Sequence, residues 1–235
     1  MSYQSAHCYD TIYAFKDYAK EAAQIDDLIR RRCPSARTAL DVGCGTGEHA
    51  RHFNADHGLE VDGIDVDGAA LELAREKNVG RSFLTADMVD FDLRRRFDAV
   101  LCLFGSIGYL KTLDRVTSSL HCFRRHLSPG GVVVLEPFLA PEEFKANQVV
   151  VQRGTGARGS VERVCRTEVT GTLARLHFEY RTEDASGVHR SSETHELGLF
   201  SRDELQSSLA SAGLNAVFEE GGLTGRGLWL AEVVA

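Results

Sequence analysis

The sequence predicts an α/β protein built on a doubly wound, mostly parallel sheet that is interrupted late by an antiparallel insertion. Three observations carry that prediction. Between residues 15 and 134, apolar strand-like runs alternate with segments of helical periodicity. Such alternation implies right-handed crossovers and helices on both faces of a parallel sheet. A glycine-rich turn at residues 43–47 directly follows the first strand run, where sheets of this kind open their ligand crevice. From about residue 147 to 199 the helical period vanishes. There Ala174, Leu176, Phe178 and Tyr180 alternate with Arg175, His177, Glu179 and Arg181, the period of two that marks a half-buried strand.

The elements follow in order. Tyr18, Ala22, Ile25 and Ile29 share a helical face, and Pro34 closes that segment. Residues 38–42 read as the first strand and 61–64 as the second. Asp67 caps a helix running through Glu72 to Lys77. Residues 82–84 form a weaker third strand. Residues 97–103 are apolar almost throughout, which suits a fourth strand buried on both faces. Val116, Leu120, Phe123 and Leu127 mark a helix expected to end at the Ser-Pro-Gly-Gly of 128–131, with 132–135 as the fifth strand. Turns are expected at 154–159, 170–172 and 185–187. Ser201 and Glu204 form a capping box for a last helix that carries Leu205 and Leu209 and stops at Gly213. A final strand is expected over 225–234. The organisation is thus a helical cap (1–35), a core (36–140), the antiparallel insertion (141–199) and a return to the core (200–235).

Composition narrows the function classes. The chain has 235 residues, and 43% hydrophobic content supplies ample core for one large domain. Its 27 basic and 34 acidic residues give a net charge of −7, which argues against a nucleic-acid surface. The arginine triplets at 30–32 and 94–96 sit among acids and read as solvated faces. No segment reaches the roughly 18 unbroken apolar residues of a membrane helix. Asp10, Lys16 and Asp17 stand where a signal peptide would be apolar. A cytoplasmic protein with no membrane partner is therefore expected. Six cysteines without a CxxC pair or zinc-like spacing read as free thiols, with no metal centre.

The chemistry sits at Leu40-Asp-Val-Gly-Cys-Gly-Thr-Gly47. Gly43 and Gly45 fit the start of a dinucleotide fingerprint, but Glu48 occupies its third glycine position, and Asp41 precedes the loop. Two carboxylates are poor company for a pyrophosphate at a helix N-terminus. They suit a cationic ligand without phosphate, and S-adenosylmethionine, with its sulfonium and amino groups, fits that charge logic. A structural glycine turn is the plain alternative. Asp65 ends the second strand about 20 residues on, where an acid accepts from ribose hydroxyls. Asp87 and Met88 follow the third strand, where a carboxylate and a backbone N–H suit an adenine edge; a surface-turn acid is the alternative for Asp87. Residues 104–108 add small side chains where a methyl group must meet its acceptor.

In this order, LDVGCGTG, VDGIDVD, TADM and LSPGG-VVVLEP resemble a class I S-adenosylmethionine-dependent methyltransferase over roughly residues 36–137. A narrower resemblance spans most of the chain, to the N,N-dimethyltransferases that finish TDP-linked amino-dideoxysugars of the desosamine and mycaminose type. It rests on Tyr9-Asp10, Lys16-Asp-Tyr18, Phe104-x-Ser-Ile-Gly-Tyr-Leu110, Glu136-Pro137, Pro141-Glu-x-Phe144, Arg163-Val164, the 195–200 stretch and Gly221-Gly-x-x-Gly-Arg-Gly-Leu228. Phe138 and Leu139 stand where those enzymes share two tryptophans, and Asp65 stands where their usual acid is Glu.

The resemblance implies a Rossmann-like, mostly parallel seven-stranded sheet, S-adenosyl-L-methionine as cofactor, a small-molecule amine acceptor of the TDP-amino-sugar kind, and a homodimer. It places Tyr18, Asp41, Gly43, Cys44, Gly45, Gly47, Asp65, Val66, Asp87, Met88, Leu103 and Phe104 at the cofactor. Ser106, Phe138 and Arg226 fall on the acceptor side. Tyr9, Tyr109, Glu136 and His195 are the candidates for catalytic contact. Each has a structural alternative: core aromatics on an amphipathic helix for Tyr9 and Tyr18, a strand end for Glu136, a rim histidine for His195, a surface cation for Arg226. An O-methyltransferase of a small hydroxylated acceptor is the alternative function. A nicotinamide-dependent oxidoreductase is a more distant one.

Overall fold

In the computed structural model, residues 6–156 and 159–234 are described. Two layers of helices enclose a seven-stranded sheet of order β10-β11-β5-β4-β1-β2-β3. Its parallel part comprises β1 (Thr38–Val42), β2 (Glu60–Asp65), β3 (Phe83–Thr85), β4 (Phe97–Cys102) and β5 (Leu127–Leu135). Two antiparallel strands, β10 (Leu214–Glu219) and β11 (Leu228–Val233), complete it. In β1 and β4 nearly every side chain is buried, because helices cover both faces; this explains their unbroken apolar runs. One core layer gathers Leu40, Val100, Phe123 and Trp229, and the other Ile25, Phe53, Leu71 and Leu101.

The helices begin and end for identifiable reasons. Asp17 opens α2 (Tyr18–Arg32) by accepting from Lys20 N–H at 3.0 Å. Asp67 does the same for α4 (Gly68–Lys77) through Ala69 N–H. Ser201 and Glu204 form the expected reciprocal capping box on α6 (Arg202–Ser211). The short α1 (Ala6–Ile12) and α3 (Glu48–His52) and the longer α5 (Leu113–Arg125) complete the set. None of the described helices is long and apolar enough to cross a membrane.

Two boundaries and one strand depart from the sequence expectation. The α5 helix stops at Arg125, and residues 128–131 form an irregularity inside β5, where the register to β4 shifts. Gly130 supplies the positive φ of 76° that this bend needs. The last strand starts at Leu228 rather than 225. Gly227, at φ 75°, sits where any Cβ would collide with the Phe218 ring, so the loop ahead of β11 can cross β10 only with glycine there. The seventh strand, β10, gave no clear period of its own.

The insertion is a four-stranded antiparallel meander, β6 (Val149–Gly156), β7 (Gly159–Thr170), β8 (Leu173–Asp184) and β9 (Gly187–Gly198). The turn expected at 154–159 includes residues 157 and 158, which lie outside the described residues. Directly paired residues share a face: Arg163 opposite Tyr180, Cys165 opposite Phe178, Phe178 opposite Glu193 and Leu176 opposite His195. That face is the buried one. α1 packs on β6 so closely that a Cβ at Gly154 would overlap the Thr11 carbonyl. The inner face of the meander thus comes over the carboxyl ends of the parallel strands.

Candidate active site

The crevice lies beyond β1, β2 and β4, where the strand order reverses. The loop after β1 is pinned to β2: Gly43 and Cys44 N–H donate to the Ile64 carbonyl at 2.8 and 3.1 Å. Gly43 has φ 75°, and a Cβ there would lie 2.9 Å from Ser106 Cβ. Only glycine lets this loop meet the 3₁₀ turn Ser106–Leu110. Gly47 has a different job from the expected one. Its φ is 73°, and a Cβ would press on Ala74 of α4 and on Asn78, which caps that helix. It joins two helices and does not line the crevice.

The acids are organised by backbone and burial. Asp65 Oδ2 accepts from Gly45 N–H at 2.8 Å, and Oδ1 from Asp67 N–H at 2.9 Å. Burial pushes its carboxyl up against those hydrogen bonds. Burial likewise pushes the Asp41 carboxyl up to about 6, with His49 opposing and Asp65 adding to the shift. Asp87 is more exposed and pairs with Arg115 at 3.2 Å.

Three cavities meet here. One of about 530 Å³ is lined by Asp65, Val66, Asp87, Met88 and Tyr109. A small one of about 50 Å³ is lined by Tyr18, Asp41, Cys44, Gly45, Leu103 and Phe104. A third of about 230 Å³ lies under the meander, between Tyr9, Tyr13, Phe138, Arg163, Phe178 and His195. Gly43 and Ser106 border all three.

Beside the small cavity, Tyr18 Oη is buried and has no hydrogen-bond partner among the described residues. Its ring meets His49 edge-on at 4.8 Å. His49 Nε2 lies 2.8 Å from Glu21 Oε2, and Lys16 Nζ donates to Glu21 at 2.9 Å while sitting 4.0 Å over the Phe104 ring. Burial raises the Glu21 carboxyl, but the hydrogen bonds from His49 and Lys16 outweigh it and hold the group below its ordinary value.

In the third cavity, Tyr109 Oη lies 2.6 Å from His195 Nδ1, and His195 Nε2 lies 3.0 Å from Glu193 Oε1. Tyr180 Oη donates to that same carboxylate at 2.9 Å. Tyr9 is half-buried, and the desolvation of its phenol pushes it well up. Arg163 donates to Tyr13 Oη at 3.0 Å and lies over the Tyr13 and Phe178 rings.

Glu136 departs from the expectation of a group at the reaction centre. It is fully buried and lines none of the three cavities. Its Oε2 accepts from Phe104 N–H at 2.7 Å. Its Oε1 accepts from Thr224 Oγ1 at 2.7 Å and Arg226 Nη2 at 3.1 Å. The carboxylate ties the loop after β4, where Phe104 has φ 55°, to the glycine-rich loop before β11. Arg226 borders the third cavity while held by Glu136 and by its bond to Thr224. Among the described residues no group of three or more His, Cys, Asp or Glu side chains is arranged to hold a metal.

Several residues in or next to the site were missed by sequence reasoning. Glu21, His49, Tyr13, Tyr180 and Glu193 carried no motif. The one available signal for Glu193 was its spacing of two from His195 on a strand, which puts both on one face.

Residues 39–131 match the family model described as a methyltransferase domain. The chain is 38% identical over 228 residues to the dTDP-3-amino-3,4,6-trideoxy-alpha-D-glucopyranose N,N-dimethyltransferase of Streptomyces venezuelae, covering 96% of each chain. Its fold superposes on the crystal structure of Streptomyces venezuelae DesVI with a TM-score of 0.92 at 37% identity, over 100% of both chains. It superposes on the S-adenosylmethionine-bound amino pentose methyltransferase CalS10 of Micromonospora echinaspora with a TM-score of 0.84 at 35% identity, over 98% and 97% of the two chains. With that identity sustained along nearly its whole length, the chain belongs to the S-adenosylmethionine-dependent methyltransferases, in the family that contains these amino-sugar N,N-dimethyltransferases.

Proposed function

We propose that the protein methylates the exocyclic amine of a nucleotide-linked amino-deoxysugar, and does so twice. The observation that carries this reading is the convergence of three cavities on Gly43 and Ser106. That arrangement suits a cofactor crevice and a separate acceptor chamber that meet at these two residues. The cofactor supplies a methyl group on a sulfonium, already activated for in-line displacement.

The residues present fit that cofactor. Tyr18 Oη, buried without a partner, is a donor waiting for an acceptor such as a carboxylate. Asp41 beside it suits an ammonium. Asp65, whose two oxygens face backbone N–H groups at the loop, retains lone pairs for ribose hydroxyls. Asp87, Met88 and Val66 border the wider end, which suits the adenine. Cys44, Gly45, Leu103 and Phe104 would close around the methionyl portion. In the acceptor chamber, Tyr9, Phe138 and Ser106 shape the approach, and Tyr109 with His195 stands ready to receive a proton. Alignment and exclusion of water are the main tasks left to the protein, and such positioning supplies about 7–11 kcal/mol. The Arg226–Glu136 pair holds both loops that border the chamber.

A further part of the reading is a homodimer. It is supported by the exposed run Val149, Val150 and Val151 on the outer edge strand of the meander, and light scattering of the purified protein tests it. The catalytic reading is tested with a panel of TDP-linked 3-amino, 4-amino and 3-hydroxy deoxysugars, with product mass as the readout. Mono- and dimethylated products from an amino sugar are expected. Turnover of the hydroxy analogue alone would refute the amine assignment.

A further inference from the structure

An amine acceptor creates a proton problem that a single methyl transfer hides and a double one exposes. An alkylamine is an ammonium at neutral pH and has no lone pair to attack with. It must lose a proton first. In the transfer, its lone pair forms the new C–N bond and the C–S electrons return to sulfur. The nitrogen then carries one proton too many again, and must shed it before a second transfer.

The acceptor chamber contains a chain of groups suited to that task. Tyr109 Oη, on the 3₁₀ turn, lies 2.6 Å from His195 Nδ1; on the far side of the ring, Nε2 lies 3.0 Å from Glu193 Oε1; Tyr180 Oη, on β8, donates to the same oxygen at 2.9 Å. Side chains of His195 and Glu193 are only 11% and 12% exposed. Phe178 meets the imidazole edge-on at 5.0 Å and fixes its plane. Glu193 and His195 lie two residues apart on β9, so the pleat points both inward. Other titratable groups facing the pair are Cys8 and Tyr9 of α1 and Arg163 of β7. The Cys8 thiol is pushed up by burial and by the Glu193 charge, which places that charge against α1 as well.

We propose that Glu193 is a positioning residue that sets His195 as the proton acceptor for both methyl transfers. As the charge 3.0 Å from Nε2, its carboxylate favours the proton on Nε2 and so the tautomer in which Nδ1 accepts from the Tyr109 hydroxyl. One ammonium proton passes to Tyr109 Oη as the phenolic proton passes to Nδ1. The amine becomes neutral, the phenol is restored, and the imidazolium formed is stabilised by Glu193. Loss of that proton to water resets the chain for the second round while the once-methylated sugar is in place. This inference rests on the amine reading above.

The test compares the wild type with Glu193→Gln and Tyr109→Phe on a TDP-amino sugar, following mono- and dimethylated products and the pH dependence of kcat. Gln keeps the shape and one acceptor oxygen but removes the charge. It is expected to lower kcat about 100-fold, the lower end of what general acid–base help supplies. It is also expected to leave the cofactor's Kd unchanged, to accumulate monomethyl product, and to move the acid-side fall in kcat to lower pH. Tyr109→Phe, a change outside the meander that removes only the hydroxyl next to His195, is expected to accumulate the same intermediate. Wild-type turnover with an unmoved pH profile and an unchanged product ratio in both variants overturns the relay while leaving the amine reading standing. Absence of wild-type turnover on any amine overturns both.

Discussion

Glu136 offers the sharpest test of how the site is held together. Its carboxylate has no exposure to solvent and receives three donors: Phe104 N–H and Thr224 Oγ1, both at 2.7 Å, and Arg226 Nη2 at 3.1 Å. In Glu136→Gln, one end of the amide becomes a donor. It then faces either the Phe104 N–H or the Arg226–Thr224 pair, and Arg226, whose side chain is 15% exposed, loses its counter-charge. Breaking one partner of a buried pair costs about 3–5 kcal/mol. A chain of this size loses roughly 2–4 °C of Tm per kcal/mol, so thermal unfolding of the ligand-free protein should fall by roughly 6–20 °C. Because Phe104 borders the small cavity, calorimetric titration with the cofactor should weaken as well. A Tm within about one degree of the parent, with unchanged cofactor affinity, refutes the anchoring role. A parent-like Tm with kcat alone abolished would instead return Glu136 to the reaction centre.

Three other outcomes are expected. Tyr18→Phe removes a buried hydroxyl that has no partner in the ligand-free protein; stability should hold or rise, while cofactor affinity should drop about tenfold, the value of one hydrogen bond to a charged group. Gly47→Ala forces a side chain to φ 73° and against Ala74; it should cost about 1–3 kcal/mol in chemical denaturation. Its effect on the intrinsic affinity for cofactor should be small, because Gly47 faces α4. Asp41, held at about 6 when folded against an ordinary 3.8, binds a proton in the folded state that the unfolded chain has already released. The ligand-free protein should therefore lose stability as pH rises from about 4 to 6. Asp65, also raised, adds to the same slope, and Asp41→Asn should flatten it. Cofactor affinity should fall below pH 6, as the Asp41 carboxylate takes up its proton.

The loop glycines, the capping box at Ser201 and the strand-end acid Asp65 were legible because each is a local device. A positive φ, a first-turn N–H or a strand terminus constrains one position or its near neighbours. The SPGG segment misled for the same reason. It carries the composition of a helix stop, but pairing with β4 absorbs it as an irregularity in β5. The β10 strand, with Val217 exposed and Glu219 at its end, owes its place to its pairing with β11.

The sequence by itself determined the alternating α/β core, the glycine-rich turn after the first strand and the inward face of the insertion, since helical and strand periods and a cluster of glycines are properties of consecutive residues. Only the tertiary structure decided what Glu136 does and which groups stand beside His195. Glu136 meets Thr224 and Arg226 88 and 90 residues further along the chain, and Tyr109 meets His195 across 86 residues. Such partners are set by how the meander and the glycine-rich loop pack over the strand ends, and that geometry leaves no periodic trace in the chain.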